Sequence, residues 1–253
     1  MAKIRILGSG TSTGVPSIGC NCKVCLSQDN KDKRLRTSVL YEENGVRILL
    51  DCGPDFRQQM LQIPFKPIDG VLITHEHFDH VGGIDDLRAF SHRSELPLYA
   101  NKLTVAHLKQ RMPYCFIDKT YPGIPKLSLR EVCAGDSFYI KDVLVTPFTV
   151  IHGRLPILGY RIGRMAYITD MLTMPELSYS FLKGVDLVVL NALRHQPHTT
   201  HQTLNQALDV GFRIGAKSTY LIHMSDGIGL HQEVSAQLPK GFFLSYDGLE
   251  VEF

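Results

Sequence analysis

Residues 74–80 read Thr-His-Glu-His-Phe-Asp-His and follow an apolar run, Gly-Val-Leu-Ile, at 70–73. Four potential metal donors, His75, His77, Asp79 and His80, therefore lie directly behind a stretch that reads as a buried strand. His75 and His77 are two apart, so an extended backbone turns both to one face. Asp79 and His80 are adjacent and need a turn or helix start to converge on a second point nearby. Three imidazoles and a carboxylate beside a core are costly unless something pairs with them. A single tetrahedral ion would be overfilled once distant ligands join, so the segment predicts two ions.

The rest of the chain supplies a scaffold for such a site. Short runs rich in Val, Ile, Leu and Tyr recur at 3–7, 38–41, 46–51, 70–74, 138–145, 160–163, 166–170, 187–191, 218–222 and 249–253, bounded by Gly, Pro and Asp. Asn44-Gly45 between two of them reads as a hairpin turn. Helical patterns fall at 54–61, 83–89, 104–111 and 203–214. Hairpin-linked strands mixed with helices predict an α/β protein with two mixed sheets and helices outside. No repeat, low-complexity tract or linker breaks the chain, so residues 1–253 are expected to form one domain. Several predicted strands run into reactive side chains: His75, His152, Asp170 and His223. Groups just past strand ends share one rim of a rigid scaffold.

Composition narrows the setting. Hydrophobic residues make up 44%, enough for a sizeable core, and the formal net charge is only +2. That balance gives no electrostatic footprint for nucleic acid. The most basic stretch, 31–36, reads as a solvated loop or helix face. No window has the run of roughly 18–20 apolar residues that spans a membrane, and the N-terminal apolar stretch is too short for a signal peptide. A cytoplasmic location is expected. There, clustered Cys20, Cys22 and Cys25 suggest metal binding more than disulfides.

The His-x-His-x-Asp-His pattern after a strand resembles the metallo-β-lactamase superfamily. The resemblance implies a four-layer αββα sandwich with a two-metal site at the sheet edges. It assigns His75, His77 and His152 to one ion, Asp79, His80 and His223 to the other, and Asp170 as the bridge, with Asp79 and Asp170 taking part in catalysis. Class B1 lactamases carry Cys at the bridging position, so Asp170 argues against antibiotic hydrolysis. Two divalent ions about 3.5–4 Å apart acidify a bridging water and clamp attacking and leaving oxygens. Imidazole and carboxylate donors suit Zn²⁺ or Mn²⁺ alike.

Two further motifs narrow the resemblance. One is Gly19-Cys20-Asn21-Cys22-Lys23-Val24-Cys25 behind Gly8-Ser9-Gly10-Thr11; the other is Thr200-His201-Gln202-Thr203-Leu204-Asn205. With Asp51-Cys52-Gly53, Gly159-Tyr160, Thr169-Asp170 and Tyr246-Asp247-Gly248-Leu249-Glu250, they are similar end to end to the PhnP-like phosphodiesterases that open 5-phosphoribosyl 1,2-cyclic phosphate. That likeness implies a small phosphodiester substrate, a structural zinc on the three cysteines, and His201 as general acid. Imidazole titrates near neutrality and can protonate a leaving alkoxide. It also suggests a homodimer. The family's fourth zinc ligand is a His where this chain has Asp226, which leaves three alternatives: Asp226 through oxygen, another ligand such as His231, or no metal. Arg154, two residues after His152, is a weaker candidate for a phosphate oxygen. His92 and His107 are assigned nothing.

Two other functions compete. One is a transfer-RNA 3′-end nuclease of the same superfamily. Such enzymes carry an RNA-gripping arm between the third metal His and the bridging Asp, an interval of only 18 residues here. The other is a non-catalytic scaffold, like the pyrroloquinoline quinone-associated relative with its own clustered cysteines.

Overall fold

The computed structural model describes residues 1–92, 94–116 and 123–253. In chain order its strands are β1 (Ala2–Gly8), β2 (Ser38–Glu43), β3 (Val46–Leu50), β4 (Gly70–Leu72), β5 (Leu96–Ala100), β6 (Leu127–Glu131), β7 (Phe138–Ile140), β8 (Val143–His152), β9 (Leu155–Ile162), β10 (Met165–Ile168), β11 (Leu187–Asn191), β12 (Ser218–Ile222), β13 (Phe242–Leu244) and β14 (Glu250–Glu252). The α-helices are α1 (Phe56–Met60), α2 (Phe78–Val81), α3 (Lys102–Arg111), α4 (Glu176–Ser180), α5 (Leu204–Ile214) and α6 (His231–Ser235). The strands form two seven-stranded mixed sheets, ordered β14-β1-β2-β3-β4-β5-β6 and β13-β12-β11-β10-β9-β8-β7.

Period-two alternation stacks these sheets. Val46, Ile48 and Leu50 of β3 and Leu187 and Val189 of β11 enter one buried cluster between the sheets, with Ile4, Tyr41, Tyr160 and Tyr167. The intervening residues face outward. Leu49 packs with Phe56, Val105 and Leu108 under α1 and α3. Val188 and Leu190 pack with Leu204, Ala207 and Val234 under α5 and α6. Helices therefore cover both outer faces, giving the four-layer αββα sandwich. Each fully buried Leu or Ile contributes about 2 kcal/mol.

Local chemistry sets the element ends. Asn44 and Gly45 both have positive φ, as a tight hairpin turn requires between β2 and β3. Thr203 caps α5 in a reciprocal capping box with Gln206, and left-handed Gly215 closes it. Two expectations are corrected. Residues 138–145 are not one strand: Lys141, at φ 53°, turns the chain between β7 and β8, which pair as a hairpin. Strand-forming residues on both sides of Lys141-Asp142 hid the turn, although the inward-facing positions shift phase there, from 138 and 140 to 143 and 145. The 31–36 stretch is not wholly solvated: Arg34 is 1% and Asp32 2% exposed. Arg34 donates to Asp32, Ser225 O and Gly229 O, and these partners offset the desolvation of its charge. The 83–89 helix is a 3₁₀ helix at Ile84–Phe90. Strands β5, β6 and β13 and helices α2, α4 and α6 add to the expected elements.

No helix among the described residues is long and apolar enough to cross a membrane.

Candidate metal centre

β3 and β4 run parallel, as do β10, β11 and β12. Their C-terminal ends meet along one rim. Asp51 follows β3, His75 and His77 follow β4, His152 ends β8, Asp170 follows β10 and His223 follows β12. Asp51, Asp170 and His223 have φ of 58°, 54° and 59°. Left-handed backbone is uncommon for such residues and clusters at sites that over-determine it. Here it turns each side chain off its strand axis toward the rim. After His77 the chain enters α2, and this helix start swings Asp79 and His80 inward.

The seven donors fall into two groups. One holds His75, His77, His152 and Asp170; the other holds Asp79, His80, Asp170 and His223. Within each group one donor atom per residue lies within 4.8 Å of all the others, and Asp170 belongs to both. Asp170 Oδ1 is 3.2 Å from Nε2 of both His80 and His223. Asp79 Oδ2 is 3.1 Å from His80 Nε2 and 3.4 Å from His223 Nε2. All are buried except His77.

The outer ring of hydrogen bonds shows that the residues fit bound cations. His75 Nδ1 faces Thr74 Oγ1 at 3.0 Å, His80 Nδ1 faces Asp51 Oδ2 at 2.8 Å, and His152 Nδ1 donates to Asp170 O at 2.8 Å. Fixing each Nδ1 leaves Nε2 to point inward. Buried Nε2 of His75 has no hydrogen-bond partner among the described residues, and Nε2 of His80 faces only the carboxylate oxygens of Asp79 and Asp170. A buried ring nitrogen left open beside carboxylates is what a metal ligand looks like before its ion binds.

Electrostatics agrees. Burial disfavours the charged ring of His80, but Asp79, Asp170 and Asp51 outweigh it and push its pKa well above the usual value. Burial raises Asp170, yet His223 and His80 pull it well below the ordinary carboxylate range. Asp79 is lowered in the same way against burial, by His80 and His223. The pocket draws positive charge. Burial lowers His75, His77 and His152, which favours the neutral imidazole that ligation needs.

His201 belongs to neither group, yet its Nε2 lies 3.1 Å from Asp170 Oδ2. Its ring stacks on His223 at 5.0 Å between centroids. Burial holds its imidazole below the usual value against the pull of Asp170. Arg154 is exposed at the β8–β9 turn and makes no hydrogen bond or ion pair among the described residues.

Cys20, Cys22, Cys25 and Asp226 form a third group on the same 4.8 Å criterion. Asp226 Oδ2 is 3.6 Å from Cys20 Sγ and 3.4 Å from Cys22 Sγ. Three thiolates and one carboxylate are a zinc-type donor set. His231 lies elsewhere, its ring between Leu244 O and Ser235.

Sequence reasoning assigned Asp51 no role. Its buried carboxylate accepts from Thr74 N at 2.9 Å, Tyr167 Oη at 3.1 Å and His80. Its place past a strand end was the available signal, the same one that marked Asp170. Glu76 also reaches outside the donor groups, facing His107 Nδ1 at 3.1 Å.

This rim, built from strand ends of two stacked sheets, defines the class. The family model described as a beta-lactamase superfamily domain matches residues 46–224. The chain belongs to the metallo-β-lactamase superfamily and, within it, to the PhnP family. The crystal structure of a diphosphatase from the PhnP family is 41% identical, with a TM-score of 0.93, and the match covers 100% of this chain and 98% of that one. An octanoyltransferase of Porphyromonas gingivalis is 48% identical over 247 residues, 97% of this chain and 50% of that protein. Ribonuclease Z of Bacillus subtilis is 32% identical over 168 residues, 63% of this chain and 48% of that protein. The chain thus spans about half the length of the curated relatives it matches.

Proposed function

We propose that this chain is a metal-dependent phosphodiesterase acting on small, cyclic phosphodiesters such as 5-phosphoribosyl 1,2-cyclic phosphate. The observation that carries the reading is His201: a titratable ring 3.1 Å from the carboxylate shared by both donor groups, and itself a member of neither. Likeness to a PhnP-family diphosphatase supports phosphoryl chemistry. Two divalent ions, when bound, would supply an acidified water and neutralise charge on the phosphoryl oxygens. His75, His77 and His152 would hold one, Asp79, His80 and His223 the other, and Asp170 both. Asp79 and Asp170 are the carboxylates at the reacting end. As the bond from phosphorus to the leaving oxygen breaks, His201 Nε2 delivers its proton to that oxygen, and water returns a proton to the ring. Arg154 is proposed to hold a substrate phosphate oxygen.

A second reading is cleavage of a phosphoric anhydride, favoured by the diphosphatase named above. The leaving group separates the two. An alkoxide needs a proton from His201, whereas a phosphate leaves without one. Against a transfer-RNA nuclease, the chain between His152 and Asp170 is occupied by β9 and β10, joined through tight turns, with no arm.

The test is a panel with Zn²⁺ or Mn²⁺ restored: bis(p-nitrophenyl) phosphate, a cyclic alkyl phosphodiester, a dinucleoside diphosphate, a monoester, a β-lactam and an octanoyl thioester. Metal-dependent hydrolysis of the diesters is expected. Equal activity on the monoester, or none on any diester, overturns the reading.

A further inference from the structure

The loop that carries His201 also carries Thr200, whose two oxygens serve two different rings. Its carbonyl accepts from His152 Nδ1 at 3.1 Å, beside the stronger bond that His152 makes to Asp170 O. Its hydroxyl lies 2.8 Å from His201 Nδ1 and 3.1 Å from His198 Nδ1. Among the described residues, the only other polar group at His201 Nδ1 is Nδ1 of His198, at 3.1 Å.

We infer that Thr200 is a positioning residue that sets the orientation of His201 and keeps its Nε2 proton aimed into the site, with His198 as the hydroxyl's second partner. The inference rests on the proposed role of His201 as general acid. A threonine hydroxyl both donates and accepts. It can donate to Nδ1 of the neutral ring, which leaves the ring proton on Nε2 next to Asp170. The hydroxyl on Nδ1 thus holds the imidazole with Nε2 facing Asp170. Acid–base partners behind a catalytic ring fix its tautomer and its aim in this way.

The backbone makes room for the contact. Gly153, at φ 62°, sits at the tip of the β8–β9 hairpin, and a Cβ there would come within 2.9 Å of Thr200 Cγ2. Any larger residue would push Thr200 away from both rings. The general-acid loop is therefore seated on the turn that follows metal donor His152. The same residue that aims the acid also braces a donor of the first group.

The experiment compares wild type, Thr200→Val, Thr200→Ser and His201→Ala on two substrates. Cyclic ethylene phosphate expels an alkoxide; bis(p-nitrophenyl) phosphate expels a nitrophenolate that needs no proton. General acids contribute about 10²–10⁴-fold. Thr200→Val keeps the carbonyl that holds His152, so bound metal should stay at the wild-type stoichiometry. The ratio of kcat on the alkoxide substrate to kcat on the nitrophenyl substrate should fall about tenfold or more. Thr200→Ser should restore it. The ¹⁵N shifts of His201 in the zinc-loaded protein should report a proton on Nε2 in wild type and Thr200→Ser, and a mixed state in Thr200→Val.

An unchanged ratio and unchanged ¹⁵N shifts in Thr200→Val overturn the inference. So does an equal fall on both substrates with loss of metal, which would make Thr200 a brace for His152 alone. If His201→Ala itself shows no dependence on the leaving group, the general-acid reading fails instead. The ¹⁵N shifts then still decide whether Thr200 orients the ring.

Discussion

Asp51 Oδ2 lies 2.8 Å from His80 Nδ1, and the same carboxylate holds Thr74 Oγ1, which in turn faces His75 Nδ1. One fully buried acid therefore orients a donor in each of the two groups. It is the only link of this kind behind both His75 and His80 among the described hydrogen bonds.

Asp51→Asn keeps the shape but weakens the charge-assisted bond to His80 and offers an amide where Thr74 needs an acceptor. Outer partners of metal ligands are worth about 10–100-fold in metal affinity. Both active-site ions should bind more weakly by that order, read by competition with a chelator. Loss confined to one ion would show that the two groups are not coupled through Asp51.

Asp170→Ala removes the carboxylate common to both groups. The two ions should be lost together, seen as a drop of two equivalents by elemental analysis, while the Cys-site metal stays. Retention of one active-site equivalent would contradict a shared bridge.

Asp226→Ala should remove the metal from the Cys20, Cys22 and Cys25 cluster and leave the active-site pair loaded. The half-exposed Cys20 and Cys22 should then react with a thiol reagent that spares the wild type. If zinc content and labelling both match the wild type, Asp226 is not a ligand.

Asp247 accepts from Ser9 N, Ser9 Oγ and Leu35 N, yet burial lifts its pKa to about 6. Its unfolded value is near 3.8, so between 3.8 and about 6 the folded state binds the extra proton. Stability from this group is greatest below that window and declines as pH rises through it. In metal-free protein, the melting-temperature advantage of wild type over Asp247→Asn should shrink from pH 4 to 6 and then level off. An advantage that grows over that range would refute the shift.

The His75–His80 segment and the strand ends that deliver His152, Asp170 and His223 could be read from residue type and spacing, because ligands must sit just past buried runs. Hairpin-linked strands mixed with helical patterns pointed to two mixed sheets with helices outside, and the family resemblance supplied the four-layer αββα order. Asp51 shares the strand-end position of Asp170, but its role, like that of Thr200, could not be read in this way. Both act through hydrogen bonds to another residue's ring, and a lone Asp or Thr in a loop leaves no periodic trace. Arg34 misled because a basic run usually faces water, and its burial depends on Asp32 together with carbonyls of a distant loop, at Ser225 and Gly229. The turn at Lys141 was hidden because Phe, Tyr, Ile, Val and Leu flank the Lys141-Asp142 pair, and the shift of the inward-facing positions from 138 and 140 to 143 and 145 went unread.

His223 completes the second active-site group and Asp226, three residues later, completes the cysteine cluster. Chain synthesis is directional, so the cysteines near residue 20 and the histidines near residue 75 emerge long before either partner exists. The second active-site group and the cysteine group close only when the same short segment, 223–226, docks, while the first group needs nothing beyond Asp170. Completion of these two donor sets is therefore coupled through one short stretch that follows β12. A change at His223 touches the second active-site group and one at Asp226 the cysteine group, so displacing the whole segment would disturb both kinds of site, whereas a lesion in the cysteine loop would disturb one.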